Sequence, residues 1–212
     1  MKTICFITRC HPKRPNMLRF CVDSVKSQSC KDYQHLLLHN DRTKEGYGVA
    51  RANRALHTAS PLRGEYIMVL DDDDFLVDNN FVAEFKEVVS KGKPDIVMFR
   101  GIVMGGGILP PDDIWGKPPQ RAGIGSFCFA VRKDVWYKYI KFWVGSEGHT
   151  YMGDYTFINK CYHSVATIHW LDKLVTCTQR VSHGAGELKP RGGQHGRDYW
   201  QESIPRHQSS AE

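Results

Sequence analysis

Residues 64–76 read GEYIMVLDDDDFL, an apolar run that ends in four consecutive aspartates. Tyr66 to Leu70 has the length and unbroken apolarity of a strand buried on both faces of a sheet. Asp71 to Asp74 then stand at that strand's C-terminal end, the edge of an open α/β sheet where loops converge on ligands. Four adjacent carboxylates repel one another unless a cation neutralises them, and a divalent metal is the simplest such cation. Mg²⁺ and Mn²⁺ prefer hard oxygen ligands and commonly bridge carboxylates to the phosphates of a nucleotide. The plain alternative is a solvated acidic turn that caps the following helix.

Working outward, strand and helix signals alternate. Thr3 to Thr8 is a short apolar run, and Leu18, Cys21, Val22 and Val25 recur at helical spacing after Pro15, which predicts a helix over 16–28. His35 to His39 returns as a strand, and a helix over 49–58 ends at Ser60 and Pro61. Beyond the aspartates, Asn79 or Asn80 is placed to cap a helix whose apolar face is Phe81, Val82, Phe85, Val88 and Val89. A strand follows over 95–100. This order predicts an α/β fold with a mostly parallel central sheet flanked by helices.

The second half is less regular. Gly101 to Gly125 holds a GGG run and two Pro-Pro pairs and reads as an irregular loop over a ligand. A strand is expected over 126–131, helices over 133–142 and 154–163, and two short strands over 165–168 and 174–181. Residues 186–212 read as a basic, partly disordered tail.

A chain of 212 residues, 41% hydrophobic and 25% charged, needs one core and excludes fibrous or disordered classes. No stretch approaches the roughly 20 apolar residues of a membrane span, and the start MKTICFITRCHPKR lacks a signal-peptide pattern. A cytoplasmic protein is expected. The seven cysteines form no CxxC pair and read as reduced thiols. The formal charge of +6 suits a phosphate-bearing partner, but Lys and Arg are scattered, which argues against nucleic acid.

The chain resembles the family-2 glycosyltransferases of the nucleotide-diphospho-sugar (GT-A) fold through an ordered set of motifs: ITRCHPKRP, LLLHNDRT, GYGVARANRAL, GEYIMVLDDDDFL, GSFCFAVRKDVW and MGDYTFINKC. The resemblance covers about residues 3 to 185. It implies one domain, with a nucleotide-sugar half over 1–100 and a smaller acceptor-side, catalytic half over 101–185. It further implies a UDP-sugar donor, a glycan or other hydroxyl acceptor, and Mn²⁺ or Mg²⁺ as cofactor. Thr8 and Arg9 fall in the first basic loop, beside the nucleotide sugar. Asp41 falls where a base N–H is accepted, and Arg51 where a guanidinium approaches the nucleotide. Asp71 and Asp72 would lie nearer the donor, with Asp73 and Asp74 as metal ligands and His183 reaching the metal or diphosphate. Asp154 matches the second acid of a Glu-Asp pair and would be the catalytic base, with Gly153 in place of the first acid. Gly125 and Ser126 match an acceptor-side segment, and Trp115, Trp143 and Tyr151 are candidates to stack on sugars.

Two other readings remain at this point. A nucleotidyltransferase would open with a glycine-rich phosphate loop, and residues 3 to 15 contain no glycine. A non-catalytic protein that binds nucleotide sugar or nucleic acid would bind without turnover.

Overall fold

The structure, a computed structural model, describes residues 1–39, 49–105, 107–144 and 152–179, the side chains of 49–51 and 144 excepted. Asp41, Tyr151, His183 and the expected basic tail lie outside these residues. Among the described residues, helices on both faces cover an eight-stranded sheet ordered β2-β1-β3-β7-β5-β8-β4, with β6 paired to β5. In chain order the elements are β1 (Lys2–Cys10), α1 (Pro15–Lys26), β2 (Tyr33–His39), α2 (Val49–His57), β3 (Gly64–Val69), β4 (Asp74–Leu76), α3 (Phe81–Gly92), β5 (Ile96–Val103), β6 (Gly107–Leu109), β7 (Phe129–Arg132), α4 (Lys133–Tyr139), α5 (Lys141–Val144), α6 (Gly153–Tyr162) and β8 (Ile168–Thr178).

The parallel part of the sheet is β2-β1-β3, built from the first half of the chain with α1 and α2 as its crossover helices. The second half adds β7 antiparallel between β3 and β5, and β8 parallel to β5. One face packs Phe6, Tyr66, Phe81, Phe85 and Phe99 under α1 and α3. The other packs Phe129, Trp136, Trp143 and Phe157 under α4 to α6.

Several local expectations are corrected. The two short strands expected over 165–181 are one strand, β8, whose register slips against β5 at Phe99/Arg100 and again at Arg100/Gly101. The polar pair Asp172 and Lys173 interrupts the apolar pattern at this bulge, and Lys173 turns out to meet Asp78 at 2.6 Å and Glu84 at 2.5 Å. Ser126 to Cys128 is a 3₁₀ turn before β7 rather than its start. The helix expected over 133–142 breaks after Tyr139. Gly101 to Gly125 is not wholly irregular, since β6 folds back on β5. Asn80 occupies the N-cap of α3 without a side-chain cap bond; the Gln28 side chain accepts the Val82 N–H at 3.0 Å instead.

His35 on β2 is held neutral by its surroundings. Burial, helped by the Lys26 charge, pushes its imidazole down to about 4. Unfolded, the ring titrates near 6.5, so between those values the unfolded chain binds more protons and stability falls as pH drops. Wild type should lose about 2 kcal/mol more than His35→Gln between pH 7 and 4.5 in urea titrations. An identical loss in both proteins would place the acid sensitivity elsewhere.

Candidate active site

β3 ends at Val69 and Leu70 still donates to Ile7 O at 3.0 Å, so the aspartates begin where the sheet stops holding the chain. The Asp74 N–H closes a tight turn onto Asp71 O at 3.0 Å, and Asp74 then opens β4 opposite Thr178. The run is thus a turn plus the first residue of a strand, which aims its four carboxylates differently.

Two arginines supply much of the countercharge. Arg9 grips Asp71 with both arms of its fork, Nε to Oδ1 at 2.6 Å and Nη2 to Oδ2, and its Nη1 donates to Asn53 Oδ1. Arg14 Nη1 reaches Asp72 Oδ1 at 3.1 Å and Asp73 Oδ2 at 2.9 Å, while the His11 N–H donates to Asp72 Oδ2. The compensation is partial. Burial pushes the Asp72 carboxyl up to about 7, the His11 N–H opposes, and the charges of Asp73 and Asp71 add to the rise. Asp74, 3% exposed, is raised well above the carboxylate range by burial and then by Asp73 and Asp71.

Oxygens of Asp71, Asp73 and Asp74 lie within 4.8 Å of one another. Such a set of hard donors, still under mutual repulsion beside its arginines, suits a divalent cation. Asp72 stands outside the group, drawn toward His11 and Arg14. Asp71, expected toward the donor, thus lies together with Asp73 and Asp74, the expected metal ligands.

Asp154 occupies the second position of α6, not its N-cap, which is Met152. Its Oδ1 accepts the Tyr155 N–H at 2.7 Å. Burial raises its carboxyl; the Tyr155 N–H and the Arg9 charge oppose, and the Asp71 charge adds to the rise. The acid is therefore electrostatically part of the same cluster as Arg9 and Asp71. Ser126 joins them: its hydroxyl donates to Asp71 Oδ2 at 3.5 Å, and its backbone, like the Tyr155 N–H, favours the charged form of Asp154.

Gly153, in place of the expected first acid, has a packing cause. A Cβ there would lie 2.2 Å from Trp143 O and 2.7 Å from Trp143 Cδ1. The backbone oxygen has nowhere to swing, so Gly153→Ala should destabilise by about 1 to 3 kcal/mol through overpacking, measured by urea unfolding. Unchanged stability would show that α5 and α6 separate at little cost.

Other predicted residues fall less centrally. Thr8 is fully buried, its hydroxyl donating to Leu70 O at 2.7 Å and pairing with His35 Nε2 at 2.8 Å, so it braces β1 beneath the site. Arg51 lies in α2. Gly125 precedes the 3₁₀ turn, where a Cβ would press 2.7 Å from the Phe127 ring. Trp143 is a core residue at 1% exposure, with Arg9 5.9 Å over its ring. Trp115 is half-buried against Trp170 at 4.8 Å, with Arg100 4.2 Å over it. Asn53 and Arg14 were missed. Asn53 was findable as a polar residue between Ala52 and Leu56 on the buried side of α2, and Arg14 as the arginine of the basic loop HPKRP.

No protein-family model matches the chain, and no curated protein sequence matches it. Solved structures do. S. aureus TarS 1-349 superposes with a TM-score of 0.60 at 14% identity, covering 84% of this chain and 60% of that one. The longer S. aureus TarS gives 0.61 at 13% identity, covering 85% of this chain and 37% of that one. A glycosyltransferase involved in the glycosylation of the major capsid of PBCV-1 gives 0.53 at 14%, covering 85% and 95%. The chain has a glycosyltransferase fold, and it spans about 60% of the length of the TarS 1-349 structure. Among the described residues no helix is long and apolar enough to cross a membrane.

Proposed function

We propose that this chain is a metal-dependent, family-2-like glycosyltransferase that moves a sugar from a nucleotide-diphosphate donor, a UDP-sugar first, to a hydroxyl acceptor with inversion. One observation carries the reading. A divalent-cation donor set, Asp71, Asp73 and Asp74, adjoins a second, raised carboxylate, Asp154, through Arg9 and Ser126. The choice of uridine is supported by S. aureus TarS, solved in complex with UDP and with UDP-GlcNAc. The seven unpaired thiols suit a reducing, cytoplasmic setting.

Asp71, Asp73 and Asp74 would hold Mn²⁺ or Mg²⁺, which supplies positive charge where the diphosphate departs. Asp154 accepts the proton of the acceptor hydroxyl as its oxygen bonds to the anomeric carbon and the bond to the diphosphate breaks. A carboxyl raised by burial is a stronger base than an exposed one, and the Tyr155 N–H and then the Arg9 charge oppose the rise. A single displacement inverts the anomeric centre. Ser126 and Gly125 border the acceptor. Asp41, Arg51 and His183 keep the roles that the resemblance implies, at the base, the nucleotide and the metal or diphosphate.

Thermal shift with a panel of nucleoside diphosphates and their sugars, with Mn²⁺, Mg²⁺ or chelator, tests the reading. Stabilisation by UDP or a UDP-sugar in metal alone, together with UDP release in the presence of an acceptor, is expected. Stabilisation by no nucleotide under any metal condition would overturn it. Binding without turnover across acceptors would leave a nucleotide-sugar-binding protein.

A further inference from the structure

Arg14 carries an incomplete set of hydrogen bonds in a buried place. It follows β1 in the loop HPKRP, between Pro12 and Pro15, whose fixed φ angles stiffen the approach to α1. It is 6% exposed. Among the described residues both of its ion pairs leave from Nη1, to Asp72 and Asp73. Its Nε is buried without an acceptor. A cationic N–H removed from water with nothing to donate to is destabilising, and native proteins rarely leave one.

The missing acceptor has a definite chemistry. Nε and Nη2 form the fork with which a guanidinium grips an oxyanion through two parallel bonds. Because the aspartates occupy Nη1, the fork's Nε side is the part left to an outside ligand. A further carboxylate is the wrong ligand beside Asp71 to Asp74, whose charges already repel. A phosphate that arrives with its own divalent cation is the right one, because the cation offsets the added charge. Asp71, Asp73 and Asp74 would hold that cation, and Arg14 already holds one of these carboxylates, Asp73.

We propose that Arg14 is a further donor-binding residue, its Nε side closing on a diphosphate oxygen of the nucleotide sugar while Nη1 keeps Asp72 and Asp73 in place. The proposal rests on the donor-site reading above. Lysine, a point charge without a fork, should not replace Arg14 in this role.

Calorimetric titration of wild type and Arg14→Lys with UDP and Mg²⁺ tests it, alongside binding of Mn²⁺ alone followed by its EPR signal. Arg14→Lys should bind UDP about tenfold to a hundredfold more weakly, as expected for a lost charge-assisted bond, and keep its Mn²⁺ affinity. Unchanged UDP affinity would overturn the role of Arg14 and leave the donor site standing. Failure of wild type itself to bind UDP would overturn both. Should the variant not fold, the wild-type Arg14 Nε–H resonance decides: it should shift and couple to ³¹P with UDP and Mg²⁺, but not with uridine and Mg²⁺. A resonance unmoved at saturating UDP ends the proposal.

Discussion

Asp73→Asn should fold as stably as wild type without metal, yet lose the stabilisation that a nucleoside diphosphate and Mn²⁺ give together. Asp73 belongs to the three-carboxylate group and is 5% exposed. The amide keeps the shape and an oxygen for Arg14, which retains Asp72 as its charged partner at 3.1 Å. Loss of one negative charge also relieves Asp74, whose carboxyl Asp73 helps to raise. Folding therefore loses little, whereas the cation loses a charged ligand from a set of three. For wild type at a ligand concentration one hundred times Kd, the gain is about 2.7 kcal/mol, or roughly 5 to 10 °C for a chain of this size. Asp73→Asn should show almost none of it. A variant that keeps the full shift with metal would remove Asp73 from the cation site.

Asp154→Asn should separate binding from chemistry. The Tyr155 N–H donates to the side chain at this position and can donate to an amide oxygen in place of the carboxylate, so α6 keeps its place and donor affinity should stay near that of wild type. Transfer should fall by about 10²- to 10⁴-fold, the usual contribution of a positioned base. For wild type, kcat should rise with pH as Asp154 ionises, over a range shifted upward because burial outweighs the opposing Tyr155 and Arg9. The slope should vanish in the variant. Transfer and pH profile both unchanged would assign the base to another group, and weakened UDP binding with unchanged kcat would make Asp154 a donor residue instead.

The parts legible in sequence are those governed by local rules. A buried apolar strand must end where charge begins, so Tyr66 to Leu70 placed the acidic run at a sheet edge without further information. The helix of Asp154 and the alternation of the first half follow from periodicity in the same way. The countercharges were not legible, because Arg9 and Arg14 lie about 60 positions from Asp71 to Asp73 and meet them only through the parallel pairing of β1 with β3. Four adjacent aspartates require countercharge, and part of it comes from Arg9 and Arg14 rather than from a metal cation. β4 was hidden because its first residue is an aspartate, a poor strand former, held by Thr178 on β8. β8 looked like two strands because a bulge carries polar residues through an apolar run.

The most direct test is a crystal of the protein grown with UDP and Mn²⁺, with data collected for the manganese anomalous signal. The account predicts one anomalous peak within about 2.0 to 2.6 Å of oxygens from at least two of Asp71, Asp73 and Asp74, bridged to the diphosphate. A UDP molecule bound away from the acidic run, or manganese absent from these carboxylates at saturating nucleotide, would contradict it.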